Sequence, residues 1–191
     1  LRGASPIQSA ILQGLDKTGI TIMLMDEKMD HGPILKQEEV ILKGKETSES
    51  LHNGLALRGV PLLKQVLKDF SSITPMEQDH SQATFCKTIN KEMAKIDWSK
   101  PAEEIERQTR AFFPWPATWT ALDGQRLKIF PFVKIITENK KPGEIFFSGK
   151  SMAVGCGKDS LVLDKIQMEG KKEMAGDAFL RGYSVVGKTL S

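Results

Sequence analysis

Three carboxylates stand close together in the stretch MLMDEKMDHGPIL, which spans residues 23–35. Asp26, Glu27 and Asp30 fall within five positions of one another, between two apolar runs. A turn needs only one or two polar residues with suitable backbone preferences, so this crowding calls for a reason. The segment is either an ordinary solvated loop or a site where one carboxylate relays protons or supports an imidazole during catalysis.

The flanking pattern places this loop at the end of a strand. Thr18–Asp26 is fairly apolar on both faces, which is typical of a strand covered on both sides in an α/β sheet. Ile34–Leu42 is predicted to be the next strand, and the succession of elements suggests a parallel or mixed sheet. Ligands bind beyond the carboxyl ends of the strands in such sheets, so the loop occupies a favourable position for a site.

Two helices are predicted around these strands. Ser5 has the residue type of an N-cap and Pro6 suits the first helical position, while Gly14 marks the end of the same helix. Thr47 is predicted to cap a longer helix, in which Gly54, Gly59 and Pro61 should produce a bend or an interruption near the middle.

The residue pattern changes around residues 71–82, which are polar and irregular and are predicted to form a linker. Residues 1–70 have the pattern of an α/β segment, and the pattern of residues 83–191 is mostly that of short strands. The predicted division is therefore an α/β part, a linker and a mostly-β part.

A short helix capped by Ser99, with Pro101 in its first turn, is predicted to open the second part. Runs rich in strand-forming residues follow, among them 126–136 and 160–168, and turn signals separate them. These runs are typical of a small β-barrel. A final short helix is predicted at residues 176–183.

Composition excludes several classes of protein. The chain has 191 residues, of which 40% are hydrophobic, so it can bury a core. No run of about 18 apolar residues occurs, so we expect no membrane span. Cys86 and Cys156 are far apart and form no CxxC motif, which argues against a disulfide framework and a zinc site and fits a reducing cytoplasm.

Charge is spread unevenly along the chain. Residues 1–81 carry 9 basic and 11 acidic side chains, whereas residues 82–191 carry 18 and 13. The basic C-terminal part favours a phosphate-bearing partner. A generally basic, soluble surface explains the charge alone about as well.

Four segments together resemble methionyl-tRNA formyltransferases: RGASPIQSAI, TGITIMLMDEKMDHGPIL, IDWSKPAEEIERQTRAFFPWP and IQMEGKKEMAGDAFLRGY. Their order and spacing are similar to those of the family over nearly the whole chain. The resemblance implies a partial, Rossmann-like α/β formyltransferase domain, followed by a mostly-β domain like an oligonucleotide-binding barrel. It further implies transfer of the formyl group of 10-formyltetrahydrofolate to the methionine amino group of initiator methionyl-tRNA, for translation initiation, by a monomeric cytoplasmic enzyme without a metal.

The resemblance also implies site residues. The catalytic aspartate of the family lies in a segment that typically reads MDxGLDTGD, and its position falls on Asp30 here. Groups at Met25, Asp26 and Met29 would line the folate pocket. The catalytic asparagine and histidine of the family would precede Leu1, so we expect the C-terminal part of a longer enzyme, inactive by itself. An exposed aspartate with a pKa of about 3.9 is a poor base on its own at neutral pH.

Six lysines at predicted turns and edges are either solubility devices or a track for tRNA phosphates, and the basic excess favours the track. Arg2 could contact folate or a tRNA phosphate, or form a structural ion pair. The predicted nucleic-acid contacts are Arg2, Lys140, Lys141, Lys150, Lys158, Lys171 and Lys172.

Other residues are predicted to have structural positions. His31 follows Asp30 directly, but adjacent loop side chains usually diverge, so we expect a surface position rather than a dyad. Trp98, Trp115 and Trp119 are expected to pack in the core or between domains rather than to stack on bases.

Alternative functions remain open on the sequence. The same fold suits a formyltransferase that acts on an amino sugar nucleotide, or a formyl-tetrahydrofolate hydrolase. A non-catalytic RNA-binding module is also compatible, since two of the three expected catalytic groups lie outside the 191 residues. An upstream N-x-H-x-SLLP segment would separate an enzyme from a module, and acceptor assays would separate tRNA from sugar.

Overall fold

The computed structural model describes residues 1–191, and the contacts within the chain divide it between Ile89 and Asn90. The first unit is Leu1–Ile89 and the second is Asn90–Ser191. Residues 71–82 fall inside the first unit, and the predicted division into a domain, a linker and a domain stays a prediction. None of the helices combines the length and the apolar character that a membrane crossing requires.

Six regular elements form the first unit. They are β1 (Arg2–Gly3), α1 (Pro6–Leu12), β2 (Lys17–Met23), β3 (Ile34–Ile41), α2 (Ser48–Lys68) and β4 (Phe85–Cys86). Strands β2 and β3 pair with each other, and β1 pairs with β4. Helix α2 packs against β2, β3 and α1.

The sheet was predicted to be parallel or mixed, and the parallel arrangement does not hold for the two strands that flank the acidic loop. Strands β2 and β3 are antiparallel, from the Lys17–Ile41 pair to the Met23–Ile34 pair, and residues 24–33 form the hairpin connection. Parallel strands need a crossover of a dozen or more residues, and this loop is too short to provide one. Only β1 and β4 are parallel, and they lie more than 80 positions apart in sequence.

The helix starts are confirmed and the predicted interruption is wrong. Helix α1 begins at Pro6, and Thr47 caps α2 through a reciprocal pair of hydrogen bonds with Ser50. Helix α2 continues through Pro61, which leaves the carbonyl of Leu57 without an N–H donor. Both residues are exposed, so water can satisfy that carbonyl and the helix does not break.

The second unit contains two helices and eight strands. They are α3 (Ala102–Ala111), β5 (Trp119–Leu122), β6 (Gln125–Ile129), β7 (Lys134–Ile136), β8 (Ile145–Ser148), β9 (Ser151–Gly155), β10 (Ser160–Val162), β11 (Lys165–Met168), β12 (Met174–Ala175) and α4 (Gly176–Gly182). The strands form two four-stranded sheets, ordered β7-β10-β9-β8 and β12-β11-β6-β5, and neighbours are antiparallel.

The structure differs from the prediction in two details of the second part. Each of the two longer runs is split into two strands, at 130–133 and at 163–164, and the halves join different sheets. Helix α3 is preceded by Pro101 rather than capped by Ser99, whose hydroxyl and N–H instead bind Asp97. A final helix is confirmed at Gly176–Gly182.

One apolar core holds the second unit together, and both sheets and both helices contribute to it. Its most deeply buried members include Ile105, Leu127, Ile145, Met152, Val154, Leu161, Ile166 and Phe179. The alternation along β6 shows why: Leu127 and Ile129 point into the core, while Arg126 and Lys128 lie on the other face. The period of two in the sequence therefore decides which side of this sheet is buried.

Replacing Ile166 by alanine should lower the free energy of unfolding by about 2–5 kcal/mol, because Ile166 is fully buried and its loss leaves a cavity. Ile135 is 36% exposed, so Ile135→Ala is the matched control and should cost about 1 kcal/mol or less. Urea denaturation followed by tryptophan fluorescence measures both values. Equal losses would contradict this assignment of the core.

Candidate functional site

The acidic loop, residues 24–33, is a tight hairpin connection. The N–H of Leu24 donates to the carbonyl of Pro33 at 2.9 Å, which closes the base of the loop. A Cβ atom on Gly32 would lie 1.9 Å from the carbonyl oxygen of Leu24, so only glycine fits there. Asp30 has a φ of 53°, in the left-handed region. Asparagine and aspartate adopt this region more readily than most residues.

The carboxylate of Asp30 is fixed by a bond that crosses the first unit. Its Oδ2 atom accepts a hydrogen bond of 2.7 Å from the N–H of Gly3. Gly3 belongs to β1, directly before α1, and Asp30 is half-buried. One oxygen of this predicted catalytic residue is thus held by the backbone.

A groove of about 680 Å³ passes over this carboxylate. Asp30 lies in its wall together with Arg2, Met23, Ile34 and Gln78. Its volume lies within the range of about 300–1,000 Å³ that is usual for small-molecule sites. About half of the residues that line the groove are polar or charged, an arrangement that can hold and orient a partly polar ligand.

Asp26 has a different environment from Asp30. One of its oxygens accepts from Nδ1 of His31 at 2.6 Å, and the other accepts from the N–H of Lys28 at 2.9 Å. The bond from His31 is the main reason why the pKa of Asp26 lies below its ordinary value, and the Lys28 N–H adds to it. His31 therefore pairs with Asp26 and not with Asp30, and it is half-buried rather than on the surface as predicted.

The predicted folate residues Met25, Asp26 and Met29 are not among the residues that line the groove. Met25 is 92% exposed and Met29 is 73% exposed, so neither side chain lines a cavity. Their backbone groups, with Asp26, lie on the outer part of the loop. The structure thus separates them from Asp30, which lies in the groove wall.

Arg2 takes part in a network that the sequence did not reveal. Its Nη2 atom donates to Oε1 of Gln78 at 2.6 Å and lies 2.9 Å from Nδ1 of His80. The ring of His80 stacks on that of His31, with 3.8 Å between the centroids. Among the roles left open for Arg2, this geometry favours a structural one within the first unit.

Gln78 makes contacts to the Asp30 turn that sequence reasoning missed. Its Nε2 atom donates to the carbonyl of Gly32 at 2.6 Å and to that of Asp30 at 3.2 Å. Gln78 lies 48 positions after Asp30, in a segment predicted to be a linker. No local pattern in the sequence could have indicated this pairing.

The six predicted lysines are all exposed in the second unit. Lys140, Lys141 and Lys158 lie on neighbouring loops, which a hydrogen bond of 2.8 Å from the N–H of Asp159 to Asn139 joins. Lys140 lies 3.8 Å from a Glu138 carboxylate oxygen, so its charge is partly offset. The remaining three are dispersed.

Lys150 lies in the turn between β8 and β9, and Lys171 and Lys172 lie between β11 and β12. The first turn belongs to one four-stranded sheet and the second turn belongs to the other. The structure therefore brings three of the lysines onto adjacent loops and does not show a continuous track through all six.

A cationic and aromatic face was also missed by sequence reasoning. The guanidinium carbon of Arg126 lies 4.3 Å from the ring centroid of Trp119, and Nζ of Lys95 lies 5.8 Å from it. Arg126, Lys128 and Trp119 line a groove of about 320 Å³ on the outer face of β5 and β6. The alternation along β6 could have indicated this face from the sequence. The register that pairs Trp119 with Lys128 could not have been predicted in that way.

The three tryptophans have different positions. Trp98 is buried, as predicted for a core residue, and its indole N–H donates to Thr120 at 2.9 Å. Trp115 is 53% exposed, so the prediction of core packing is wrong for this residue. It follows Pro114 in the turn after α3, where no strand covers its ring.

No group of three metal-ligating side chains occurs in the structure. Cys86 and Cys156 are both free, and Cys156 is buried. Burial raises the pKa of the Cys156 thiol to about 12, so it stays protonated at neutral pH. A protonated, buried thiol is neither a nucleophile nor a metal ligand.

The chain matches two family models. Residues 1–67 match the model described as "Formyl transferase", and residues 88–184 match the one described as "Formyl transferase, C-terminal domain". The two matches follow each other along the chain and together include most of it.

Two curated relatives of this chain have the same name. The chain is 42% identical over 190 residues to "Methionyl-tRNA formyltransferase" of Lachnospira eligens, which covers 95% of this chain and 60% of that protein. It is 38% identical over 190 residues to the protein of the same name from Bacillus velezensis, with 97% and 60% covered. The chain thus spans about three fifths of the length of these relatives.

A solved structure supports the fold. A crystal structure of HypX from Aquifex aeolicus in complex with tetrahydrofolic acid superimposes with a TM-score of 0.71, over 94% of this chain and 32% of that chain. The two sequences are 16% identical. The similarity therefore concerns the fold.

Replacing His31 by phenylalanine should raise the pKa of Asp26 towards its ordinary value of about 3.9, because the largest cause of its lowering is removed. The carboxyl 13C shift followed against pH measures it. A lowered pKa contributes stability above the ordinary carboxyl pKa, and this contribution is lost as the pH falls through the lowered value. In the variant we expect this contribution to shrink, so the parent should be the more stable of the two above the ordinary carboxyl pKa, and the difference should disappear at low pH.

Asp97 provides the control for this titration. Its pKa is also lowered, but by hydrogen bonds from Ser99 in the second unit. His31→Phe should leave the Asp97 titration unchanged. An unchanged Asp26 titration would show that the His31 bond is not what lowers its pKa.

Proposed function

The chain belongs to the formyl transferase family, and we propose that it is part of a methionyl-tRNA formyltransferase. Such an enzyme transfers the formyl group of 10-formyltetrahydrofolate to the methionine amino group of initiator methionyl-tRNA, for translation initiation. The identity of 42% and 38% to curated enzymes of that name supports this choice over an amino sugar acceptor. Because the chain spans about three fifths of their length, the activity is assigned to the full-length protein.

The observation that carries the proposal is the position of Asp30. Its carboxylate lies in the wall of a groove that can hold a small molecule, and the Gly3 N–H fixes one of its oxygens. The family motif assigns the catalytic aspartate to the same residue. The position of Asp30 in the groove wall and the family motif are independent of each other, and both support the same carboxylate.

The reaction defines what Asp30 must do. The lone pair of the methionine amine attacks the formyl carbon, and the bond from that carbon to the folate nitrogen breaks. The amine loses a proton, the folate nitrogen gains one, and the tetrahedral oxyanion between these steps needs stabilisation. Asp30 orients a catalytic imidazole, stabilises its charged form and supports this proton transfer.

That imidazole comes from a segment that precedes Leu1, as the resemblance implies, together with the asparagine that binds the oxyanion. His31 does not take this role, because its ring is bonded to Asp26. His80 lies against Arg2 and the ring of His31. The chain supplies one of the three catalytic groups in this proposal.

The folate donor binds in the groove beside Asp30. Tetrahydrofolic acid is bound in the crystal structure of the HypX protein, which shares the fold of this chain. The backbone around Met25, Asp26 and Met29 contacts the donor at the open side of the loop. The first unit belongs to a Rossmann-like domain, and the second forms a barrel like that of oligonucleotide-binding domains.

The tRNA contacts lie on the second unit in this proposal, since Arg2 is engaged with Gln78 and His80 within the first unit. The exposed lysines at 140, 141, 150, 158, 171 and 172 bind phosphates by charge, and the excess of basic residues in this part of the chain supports the assignment. Trp119 and Arg126 add a planar, cationic surface on which an unpaired base can stack. The enzyme acts as a cytoplasmic monomer in this proposal.

Asp30→Asn in the full-length protein should lower turnover about 10²- to 10⁴-fold, the usual range for groups in acid–base catalysis. Asparagine can still accept from the Gly3 N–H, so the loop should keep its geometry while the charge is lost. Formylation of methionyl initiator tRNA measures turnover. The same assay with an amino sugar nucleotide tests the alternative acceptor.

Glu27→Gln is the matched control, because Glu27 is an exposed carboxylate in the same loop. It should retain turnover within about threefold of the parent. Normal turnover of Asp30→Asn would remove Asp30 from the mechanism. Efficient formylation of the sugar nucleotide, with none of the tRNA, would replace the proposed substrate.

Replacing Lys171 and Lys172 together by alanine should make tRNA affinity less dependent on salt. Each lost phosphate contact lowers the slope of log affinity against log salt by about 0.7–0.9. Filter binding over a series of salt concentrations measures this slope. The double replacement of Lys64 and Lys68, both exposed on α2, is the control and should leave the slope unchanged. An unchanged slope for the 171/172 variant would exclude these two lysines.

A further inference from the structure

The side-chain amide of Gln78 lies beneath the turn that carries Asp30. Its Nε2 atom donates two hydrogen bonds, to the carbonyl of Gly32 at 2.6 Å and to the carbonyl of Asp30 at 3.2 Å. The amide is half-buried, and the residues that it joins lie 46 and 48 positions earlier in the chain. One side chain therefore holds the backbone at Asp30 itself and two residues beyond.

The orientation of this amide is determined by its neighbours. On one side, two carbonyl oxygens can only accept hydrogen bonds, so they require the NH₂ group of Gln78. On the other side, the guanidinium of Arg2 can only donate, and it reaches Oε1 at 2.6 Å. A flipped amide would lose all three bonds. The network thus specifies a glutamine amide, with both a donor and an acceptor end.

The turn needs such support. Asp30 adopts a φ of 53°, which is uncommon for residues other than glycine, and Gly32 lies directly against the Leu24 carbonyl. The aspartate carboxylate is held by the Gly3 N–H, and the residue before Gly3 is the Arg2 that orients Gln78. The segment at 2–3 therefore fixes the carboxylate directly and its backbone through Gln78.

We infer that Gln78 is a positioning residue for the reaction, which sets the direction of the Asp30 carboxylate by holding the carbonyls of Asp30 and Gly32. This inference rests on the proposed function, since it gives Gln78 an effect on turnover through Asp30. Gln78 does not contact the reacting atoms. Displacement of a catalytic group by about 1 Å can lower a rate about 10²-fold, so loss of this support should lower the rate of the chemical step.

The test is a double-mutant cycle in the full-length protein with Gln78→Glu and Asp30→Asn. Glutamate has the same shape and still accepts from Arg2, but it presents an oxygen to the two carbonyls instead of an NH₂ group. Gln78→Glu should lower kcat about 10- to 100-fold and change the KM for the folate donor less than threefold. In the Asp30→Asn background, the same change should lower kcat less than threefold, because the carboxylate that Gln78 positions is already gone.

Two further variants keep the result interpretable. Gln78→Met removes both donors without adding a charge and should give the same pattern if the glutamate variant fails to fold. Gln65→Glu makes the same chemical change at an exposed position on α2 and should leave kcat unchanged. Circular dichroism spectra that match the parent confirm the fold of each variant.

The outcomes separate this inference from the function on which it rests. Normal turnover of Asp30→Asn refutes the catalytic role of Asp30 itself. A strong effect of Asp30→Asn, with normal turnover of the folded Gln78 variants, overturns only the positioning role. Equal losses from Gln78→Glu in the parent and in the Asp30→Asn background overturn it as well, because they place Gln78 on a path independent of Asp30.

Discussion

The hydrogen bond from the Gly3 N–H to the Asp30 carboxylate is the contact on which the candidate site depends. A hydrogen bond to a charged group contributes about 1.5–3 kcal/mol, whereas the left-handed conformation costs a residue about 1–2 kcal/mol. The bond can therefore offset the strain of the turn at Asp30. It also ties the hairpin loop to β1, so the direction of the carboxylate follows from the pairing of β1 with β4.

Asp26 and Asp30 illustrate how one loop gives two carboxylates different roles. Asp26 binds the ring of His31 and the N–H of Lys28, and these local bonds hold its pKa below the ordinary value. Asp30 makes its bond to a residue 27 positions away and lies in the groove wall. Local bonds stabilise the charge of the first carboxylate, and a distant bond fixes the second in the wall of the groove. The different environments of Asp26 and Asp30 give a physical explanation for the carboxylates that stand close together in this loop.

The second unit combines a buried apolar core with an exposed cationic face. Its two sheets bury one face each in a common apolar core, and the outer face of β5 and β6 carries Trp119, Arg126 and Lys128. Since alternate residues of a strand point to opposite sides, the same short strands provide both the core and a cationic surface. Stability and interaction chemistry can therefore vary independently in this unit.

Much of this protein was determined by the sequence itself, wherever the cause acts over a few residues. Pro6 and the Thr47–Ser50 box set helix starts, the alternation of β6 set its buried face, and the motif around Asp30 indicated the family. Only the tertiary structure decided that β2 and β3 are antiparallel, that Trp119 stands beside Lys128, and that Gln78 holds the Asp30 turn. The physical reason is distance along the chain: backbone preferences and side-chain period are local, whereas strand register and a bond across 48 positions exist only once the whole unit has packed.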